Sequence, residues 1–116
     1  MDIALLLPNA EKYWCQIYHY NLGHSELSIH LVYETENYYL HFSGVRYFCG
    51  PMIWQGANFQ LASAEQCLEL VRRIRKSVQI PDEMIPEVFQ LYSMKLGTSQ
   101  VDILCHRMDL SKTPPQ

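Results

Sequence analysis

The segment 27–34 constrains the fold most, because its side chains alternate between apolar and polar with a period of two. Leu27, Ile29 and Leu31 occupy one side of the segment, and polar side chains stand between them. Turn-forming residues come directly before and after it. This pattern is typical of a β-strand that buries one face.

Three further strands are predicted in the first half of the chain. Residues 13–22, 38–48 and 53–61 are rich in Tyr, Ile and Phe and are separated by short turns. Connections this short imply antiparallel neighbours, so the four strands are expected to form a meander. Gly44 lies inside the third strand, where it indicates a bulge or a close approach of another backbone.

The period changes to that of a helix in the second half. Ser63, followed three residues later by Gln66, has the pattern of a capping box and predicts a helix over 64–77. The apolar residues of this helix recur at helical spacing on one face: Cys67, Leu70, Val71, Ile74 and Val78. Basic residues follow near its end, where cations complement the helix dipole: Arg72, Arg73, Arg75 and Lys76.

A second helix and a final strand complete the predicted elements. The helix begins at either Asp82 or Pro86, since proline is tolerated in a first turn. Its apolar face is formed by Val88, Phe89, Tyr92 and Leu96. Gly97 is a suitable C-terminal cap for it. Residues 101–108 then predict a last strand that returns to the sheet.

Together these segments predict an α+β fold. We expect a two-layer sandwich in which an antiparallel β-meander of about five strands is covered on one face by two helices, in the order ββββααβ. Residues 1–110 are expected to form a single domain, because halves of 116 residues would each have only a marginal core. Residues 111–116 are expected to be a flexible tail, since Pro114 and Pro115 block regular structure.

Charge and composition narrow the classes of partner. The formal net charge is −3 and charged residues make up 18% of the chain, so no basic surface for a phosphate backbone is expected. No apolar run reaches the ~20 residues that span a bilayer. The N-terminus carries Asp2 and only five apolar residues before Pro8, unlike a secretion signal. We therefore expect a cytoplasmic protein that binds neither nucleic acid nor membranes.

Motifs for catalysis or cofactor binding are missing from the sequence. Neither glycine-rich phosphate motif occurs, and the segment at Ser43 lacks the first glycine of a nucleophile elbow. Cys105 and His106 are adjacent in a predicted strand, so their side chains point to opposite faces. The sequence thus favours a non-catalytic protein without a cofactor, although it leaves enzymatic activity open.

The sheet face opposite the predicted helices is the candidate interaction surface. It is expected to carry no Lys or Arg and to present Tyr13, Ile17, Val32, Tyr39 and Val45. An apolar face of this size rarely stays bare. The N-terminal segment or a second copy of the chain is expected to cover it. The leading hypothesis is therefore a small adaptor or regulatory domain that binds another protein or a second copy of itself.

Three histidines support an alternative function. A symmetric turn after the second strand would pair His30 with His41, and a similar turn before it would pair His19 with His30. Imidazoles on neighbouring strands lie ~5 Å apart, a spacing at which they can ligate zinc. The alternative hypothesis is a small-molecule or metal-binding domain, or a metal-assisted enzyme, that uses this row of histidines.

The four cysteines are predicted to be unpaired, because none has CxxC spacing and no secretion signal precedes them. Thiol titration of the unfolded, unreduced protein is expected to find four thiols. A result of two or fewer would contradict both the bonding and the cytoplasmic location.

Overall fold

The computed structural model of the protein describes residues 2–21, 23, 25–74 and 81–114. Across this part of the chain, nine strands form two antiparallel sheets, and strands account for 49% of the structure against 22% for helices. The strands are β1 (Trp14–Asn21), β2 (Glu26–Tyr33), β3 (Glu36–Ser43), β4 (Tyr47–Cys49), β5 (Ile53–Gln55), β6 (Gln60–Leu61), β7 (Gln90–Leu96), β8 (Ser99–Cys105) and β9 (Arg107–Ser111). The α-helices are α1 (Ala64–Arg73) and α2 (Ile85–Val88), and the helical share also includes 3₁₀ helices at Ile3–Leu5, Ala10–Lys12 and Asp82–Met84.

The two sheets enclose the main hydrophobic core. The five-stranded sheet has the order β5-β1-β2-β3-β9, and the four-stranded sheet has the order β4-β8-β7-β6. The alternation in β2 buries Leu27, Ile29 and Leu31 completely between the sheets. Each such side chain contributes ~1.5–3 kcal/mol by leaving water. The N-terminal segment adds to the same core through Ile3 and Leu7.

Two bent strands join the sheets at one corner. β3 pairs with β9 in the five-stranded sheet, and the next strands, β4 and β8, pair in the four-stranded sheet. The chain bends at Gly44 on one side and at His106 on the other. The amide of His106 donates to the carbonyl of Ser43 at 3.0 Å, and the amide of Arg46 donates to that of Leu104 at 2.8 Å. Hydrogen bonding therefore continues through the bend, as it does where strands switch sheets in sandwich folds.

The predicted α+β fold and its order ββββααβ are wrong, chiefly because the second predicted helix is mostly a strand. Only Ile85–Val88 is helical, and residues 90–96 form β7. In β7, Tyr92 and Met94 alternate with polar residues, and this period of two pairs with β8. Gly97 has a φ of 59° and forms the tight turn between these strands, so it is not a helix cap.

The remaining strand predictions fail at the bends. The predicted strand 53–61 is divided between β5 and β6, which belong to different sheets. The predicted strand 101–108 breaks at His106, and 38–48 breaks at Gly44. Gly44 marks a close approach, but to a side chain and not to another backbone, because a Cβ there would lie 2.5 Å from Nδ1 of His106. Alternation alone does not show a bend, since side chains keep alternating on both sides of it.

The start of the first helix and its capping box are confirmed, but the helix ends at Arg73, short of the predicted residue 77. The Ser63 hydroxyl accepts from the amide of Gln66 at 3.2 Å, and Oε1 of Gln66 accepts from the amide of Ser63 at 2.9 Å. Leu70 and Val71 are buried against the four-stranded sheet in a second, smaller core. Ile74 is the half-buried C-cap of the helix. The predicted positions of Arg75, Lys76 and Val78 lie outside the described residues.

Two further fold observations bear on the sequence predictions. No helix within the described ranges is long and apolar enough to cross a membrane. Cys15, Cys49, Cys67 and Cys105 are all free thiols, as their spacing predicts.

We expect Gly44→Ala to lower the free energy of unfolding by about 2–5 kcal/mol, from left-handed backbone strain and overpacking against His106. Gly97→Ala is the matched control, because its φ is similarly positive but nothing lies within 4 Å of the added Cβ. It should cost only about 1–2 kcal/mol. Equal losses for the two variants in denaturant melts would show that the Gly44–His106 contact does not shape the bend.

Candidate functional site: the outer face of the five-stranded sheet

The outer face of the five-stranded sheet is the side of β1, β2, β3, β5 and β9 that points away from the core. Its residues are aligned by the strand register, with Gln16 opposite His30 and His30 opposite Tyr39. One neighbouring row places Trp14 opposite Val32, and the other places His19 opposite Ser28. The outer face comprises Trp14, Gln16, Tyr18, His19, Ser28, His30, Val32, Asn37, Tyr39, His41, Ile53 and Gln55, together with Glu26 at the start of β2 and Arg107, Asp109 and Ser111 on the edge strand β9.

An aromatic cluster stands at the centre of this face. The rings of His30 and Tyr39 stack in parallel, with centroids 4.7 Å apart and an interplanar angle of 7°. The ring of Tyr18 meets Tyr39 at 5.2 Å in an edge arrangement. The register of β1 shifts between Ile17 and His19, and this bulge places Tyr18 over the cluster. Edge and offset contacts of this kind are favourable beyond the burial of area.

Hydrogen bonds fix the orientation of the cluster. Nε2 of His30 donates to Oδ1 of Asn37 at 2.8 Å. Nδ2 of Asn37 donates to the carbonyl of Thr35 at 3.4 Å, which is consistent with the amide oxygen facing His30. The imidazole is therefore held by a hydrogen bond at its edge and by a ring on its face.

The centre of the face carries exposed apolar side chains among uncharged polar ones. Trp14 is 54% exposed, Tyr18 is 49% exposed and Ile53 is 60% exposed. The charged residues of this face lie at its margin, with Glu26 at the start of β2 and Asp109 opposite His41 on the edge strand β9. The nearest charged residues on β9, Arg107 and Asp109, form an ion pair with each other at 3.3 Å. Exposed aromatic residues without charged neighbours are characteristic of the centres of protein interfaces.

A second network surrounds His41. Its Nδ1 lies 2.8 Å from the hydroxyl of Ser28, and its Nε2 lies 3.8 Å from Oε1 of Glu26. Serine, histidine and carboxylate in this order have the connectivity of a hydrolytic triad. Ser28 is completely buried, however, so its oxygen cannot reach a substrate. The network therefore positions His41 on the face. Sequence reasoning missed it because only the register shows that Ser28 lies opposite His41.

The predicted row of histidines is not formed. The turn after β2 pairs Tyr33 with Glu36, so His30 lies opposite Tyr39 instead of His41. His19 lies opposite Ser28 because of the bulge in β1. A shift of one residue in a turn centre moves every cross-strand partner by two. No group of three or more His, Cys, Asp or Glu residues is placed to hold a metal ion in the part of the chain that the structure describes.

The predicted interaction residues divide between the two sides of the sheet. Val32 and Tyr39 lie on the outer face, where each is half-buried. Tyr13 and Val45 are buried in the core, and Ile17 packs against it. The sequence interpretation assigned the side chains of β1 to the wrong faces of the sheet, since Cys15 lies opposite the core residue Leu31. For the same reason it missed Trp14, Tyr18 and Ile53, whose positions depend on register and on the bulge.

Comparison with known proteins adds no identification. No family model matches the chain, and no curated protein or solved structure matches it significantly.

Thiol reactivity offers a test of the burial pattern. Burial raises the pKa of Cys15 and of Cys105 to about 12 and also raises that of Cys67, whereas Cys49 is exposed. A pKa of about 12 leaves only about one thiol in ten thousand ionised at pH 8. We expect a disulfide reagent to modify one thiol rapidly in the folded protein and four after unfolding. Loss of the rapid phase in Cys49→Ser would identify Cys49 as the reactive thiol. Two rapidly modified thiols would contradict the burial of the other three cysteines.

Proposed function

We propose that this chain is a non-catalytic protein-interaction domain and that its outer face binds a second copy of the same chain. The observation that carries the proposal is the exposed, charge-free aromatic cluster around Tyr18, His30 and Tyr39. We further propose a cytoplasmic location, which the four free thiols support. An adaptor or regulatory role suits such a domain, because proteins of these kinds act by binding other proteins.

The geometry of the rings favours a protein partner over a nucleic acid. Proteins that stack bases present open ring faces together with cationic side chains. Here the facing sides of the His30 and Tyr39 rings cover each other. The cation on this face, Arg107 of the edge strand β9, is already paired with Asp109 and lies away from the aromatic cluster. What it offers instead is ring edges and aliphatic side chains, which pack well against apolar protein surfaces.

The fixed orientation of the aromatic cluster favours a high affinity for a protein partner. Binding normally costs side-chain entropy at each residue that becomes ordered. Stacking and the hydrogen bond to Asn37 already hold His30 in place. Rigid aromatic anchors therefore lose little further freedom when a partner covers them.

A second copy is the occupant that the area and charge of the face support. The five strands cover roughly 500 Å² of flat sheet, at ~3.3 Å per residue and ~4.8 Å between strands. Two copies would bury roughly 1,000 Å², the lower bound for a specific interface. A twofold axis brings a patch against itself, so like charges would meet if the patch were charged. The residues at the centre of the face are uncharged, and the marginal pair Arg107 and Asp109 combines both signs, so self-association brings no large like charges together at the centre.

We expect Trp14→Glu to weaken the dimer by at least about thirtyfold, since truncating or charging an interface anchor costs ~2 kcal/mol or more. Val32→Lys, which places a cation beside Trp14, should act in the same way. Sedimentation velocity over a range of protein concentrations measures the dissociation constant. Met84→Glu is the control, because Met84 is 44% exposed on a 3₁₀ turn away from this sheet.

Several outcomes would overturn the proposal. A wild-type protein that stays monomeric at high concentration would exclude a second copy as the occupant. Equal weakening by Met84→Glu would place the interface elsewhere. Thermal melting of each variant as a dilute monomer shows whether the folded chain is intact, since Trp14 is largely exposed and its replacement should leave the core unaffected.

A further inference from the structure

Helix α1 and the four-stranded sheet form a groove that the outer face does not involve. The helix begins next to β6, where the amide of Ala62 donates to the carbonyl of Leu91. It ends near β4, at the opposite edge of the sheet. Arg73, in the last turn of the helix, is close enough to Tyr47 of β4 for its charge to oppose the rise that burial causes in the pKa of this tyrosine. The helix therefore runs across the strands, and the groove follows its side.

The groove contains a cavity of about 560 Å³. This volume falls within the range of natural ligand sites, ~300–1,000 Å³. Most such sites are apolar, whereas this one is lined mainly by amide and charged side chains. Its occupant must therefore offer polar groups along most of its length.

The helix side of the groove presents two unpaired charges. Gln66, Glu69 and Arg73 are spaced three and four residues apart, so they form one stripe along α1. Glu69 and Arg73 are ~6 Å apart along the axis, at 1.5 Å per residue. Within the described part of the chain, neither of them makes an ion pair. An anion and a cation thus line the cavity one helical turn apart.

The sheet side of the groove is a fixed polar floor. Gln60, Ser93 and Asp102 lie opposite one another across β6, β7 and β8. The Ser93 hydroxyl donates to Oδ1 of Asp102 at 2.6 Å, and Nε2 of Gln100 donates to the same oxygen at 2.7 Å. Lys95 lies opposite Gln100 in the next row. The floor therefore offers amide donors and acceptors of the kind that pair with a peptide main chain.

We propose that this groove binds a short extended peptide carrying a cationic and an anionic side chain two residues apart. Residues i and i+2 of an extended chain project to the same side and are ~6.6 Å apart, which matches the spacing of Glu69 and Arg73. Four strands span ~14 Å, the length of about four extended residues. The proposal concerns the other sheet and does not depend on self-association through the outer face.

Charge balance makes other ligand classes less suitable. The cavity is lined by two cations, Arg73 and Lys95, and two anions, Glu69 and Asp102. Because these charges cancel, the groove has no net attraction for a phosphate polymer. A neutral oligosaccharide could hydrogen-bond the amides but carries no charges to complement Glu69 and Arg73.

Titration of the ¹⁵N-labelled full chain with defined peptides tests the proposal by NMR. The probe is a capped pentapeptide of alanine with lysine at its second position and glutamate at its fourth. We expect amide shifts at Glu69, Arg73, Ser93 and Asp102. A peptide with the two charges on adjacent residues should bind roughly fivefold more weakly, because only one of them can face the helix.

Charge reversal on the helix gives the sharper test. Glu69→Lys should reverse the preference, so that a peptide with glutamate at both positions binds better than the original probe. Glu65→Lys is the matched control, since Glu65 is exposed on the same helix and does not line the cavity. It should leave the preference unchanged, and thermal melts confirm that both variants fold.

Three results would overturn the proposal. The first is the absence of shifts in the groove at millimolar peptide. The second is an unchanged preference in Glu69→Lys. The third is binding of maltotetraose in the groove with no response to any peptide, which would make it a carbohydrate site.

Discussion

The close contact between Gly44 and His106 is the feature on which both sheets depend. It allows two paired strands to turn together, so that one ladder of hydrogen bonds serves the five-stranded sheet and then the four-stranded sheet. The ring of His106 also packs against Phe89 at 4.9 Å, so the corner connects to the residues beneath α1. Without this bend the apolar faces of the two sheets could not meet, and each would stay exposed.

The outer face follows from the same geometry. Once the inner residues of β2 are committed to the core, their neighbours must point outward, and the bulge in β1 adds Tyr18 to them. The face thus combines the regular alternation of β2 and β3 with one irregularity in β1. The stacking of His30 on Tyr39 follows from the register, which places the two residues opposite each other on β2 and β3.

Local patterns in the sequence were sufficient for some elements and insufficient for others. The strand at 27–34 and the capping box at Ser63 were predictable, because each is determined by residues close together in the chain. The face to which each side chain of β1 belongs was not predictable, and neither was the cross-strand partner of His30. Both depend on a turn centre and a bulge that alternation does not show. β7 was mistaken for a helix because Tyr92 and Leu96 fit a helical spacing as well as an alternating one. Of the candidate site, the sequence therefore indicated Val32 and Tyr39 but missed Trp14 and Tyr18.

The sharing of strands between sheets also has a consequence for the order of folding. β1, β2 and β3 can pair as soon as they are formed, because their partners are close in sequence. β3 obtains its second neighbour only from β9, the last strand described, through contacts such as Tyr39 with Ser111. Pairing over so long a separation is slow, because the intervening chain must first lose its freedom. The first three strands must therefore persist with the free edge of β3 unpaired until the C-terminal strands arrive, and that interval is when the chain is most exposed to mispairing.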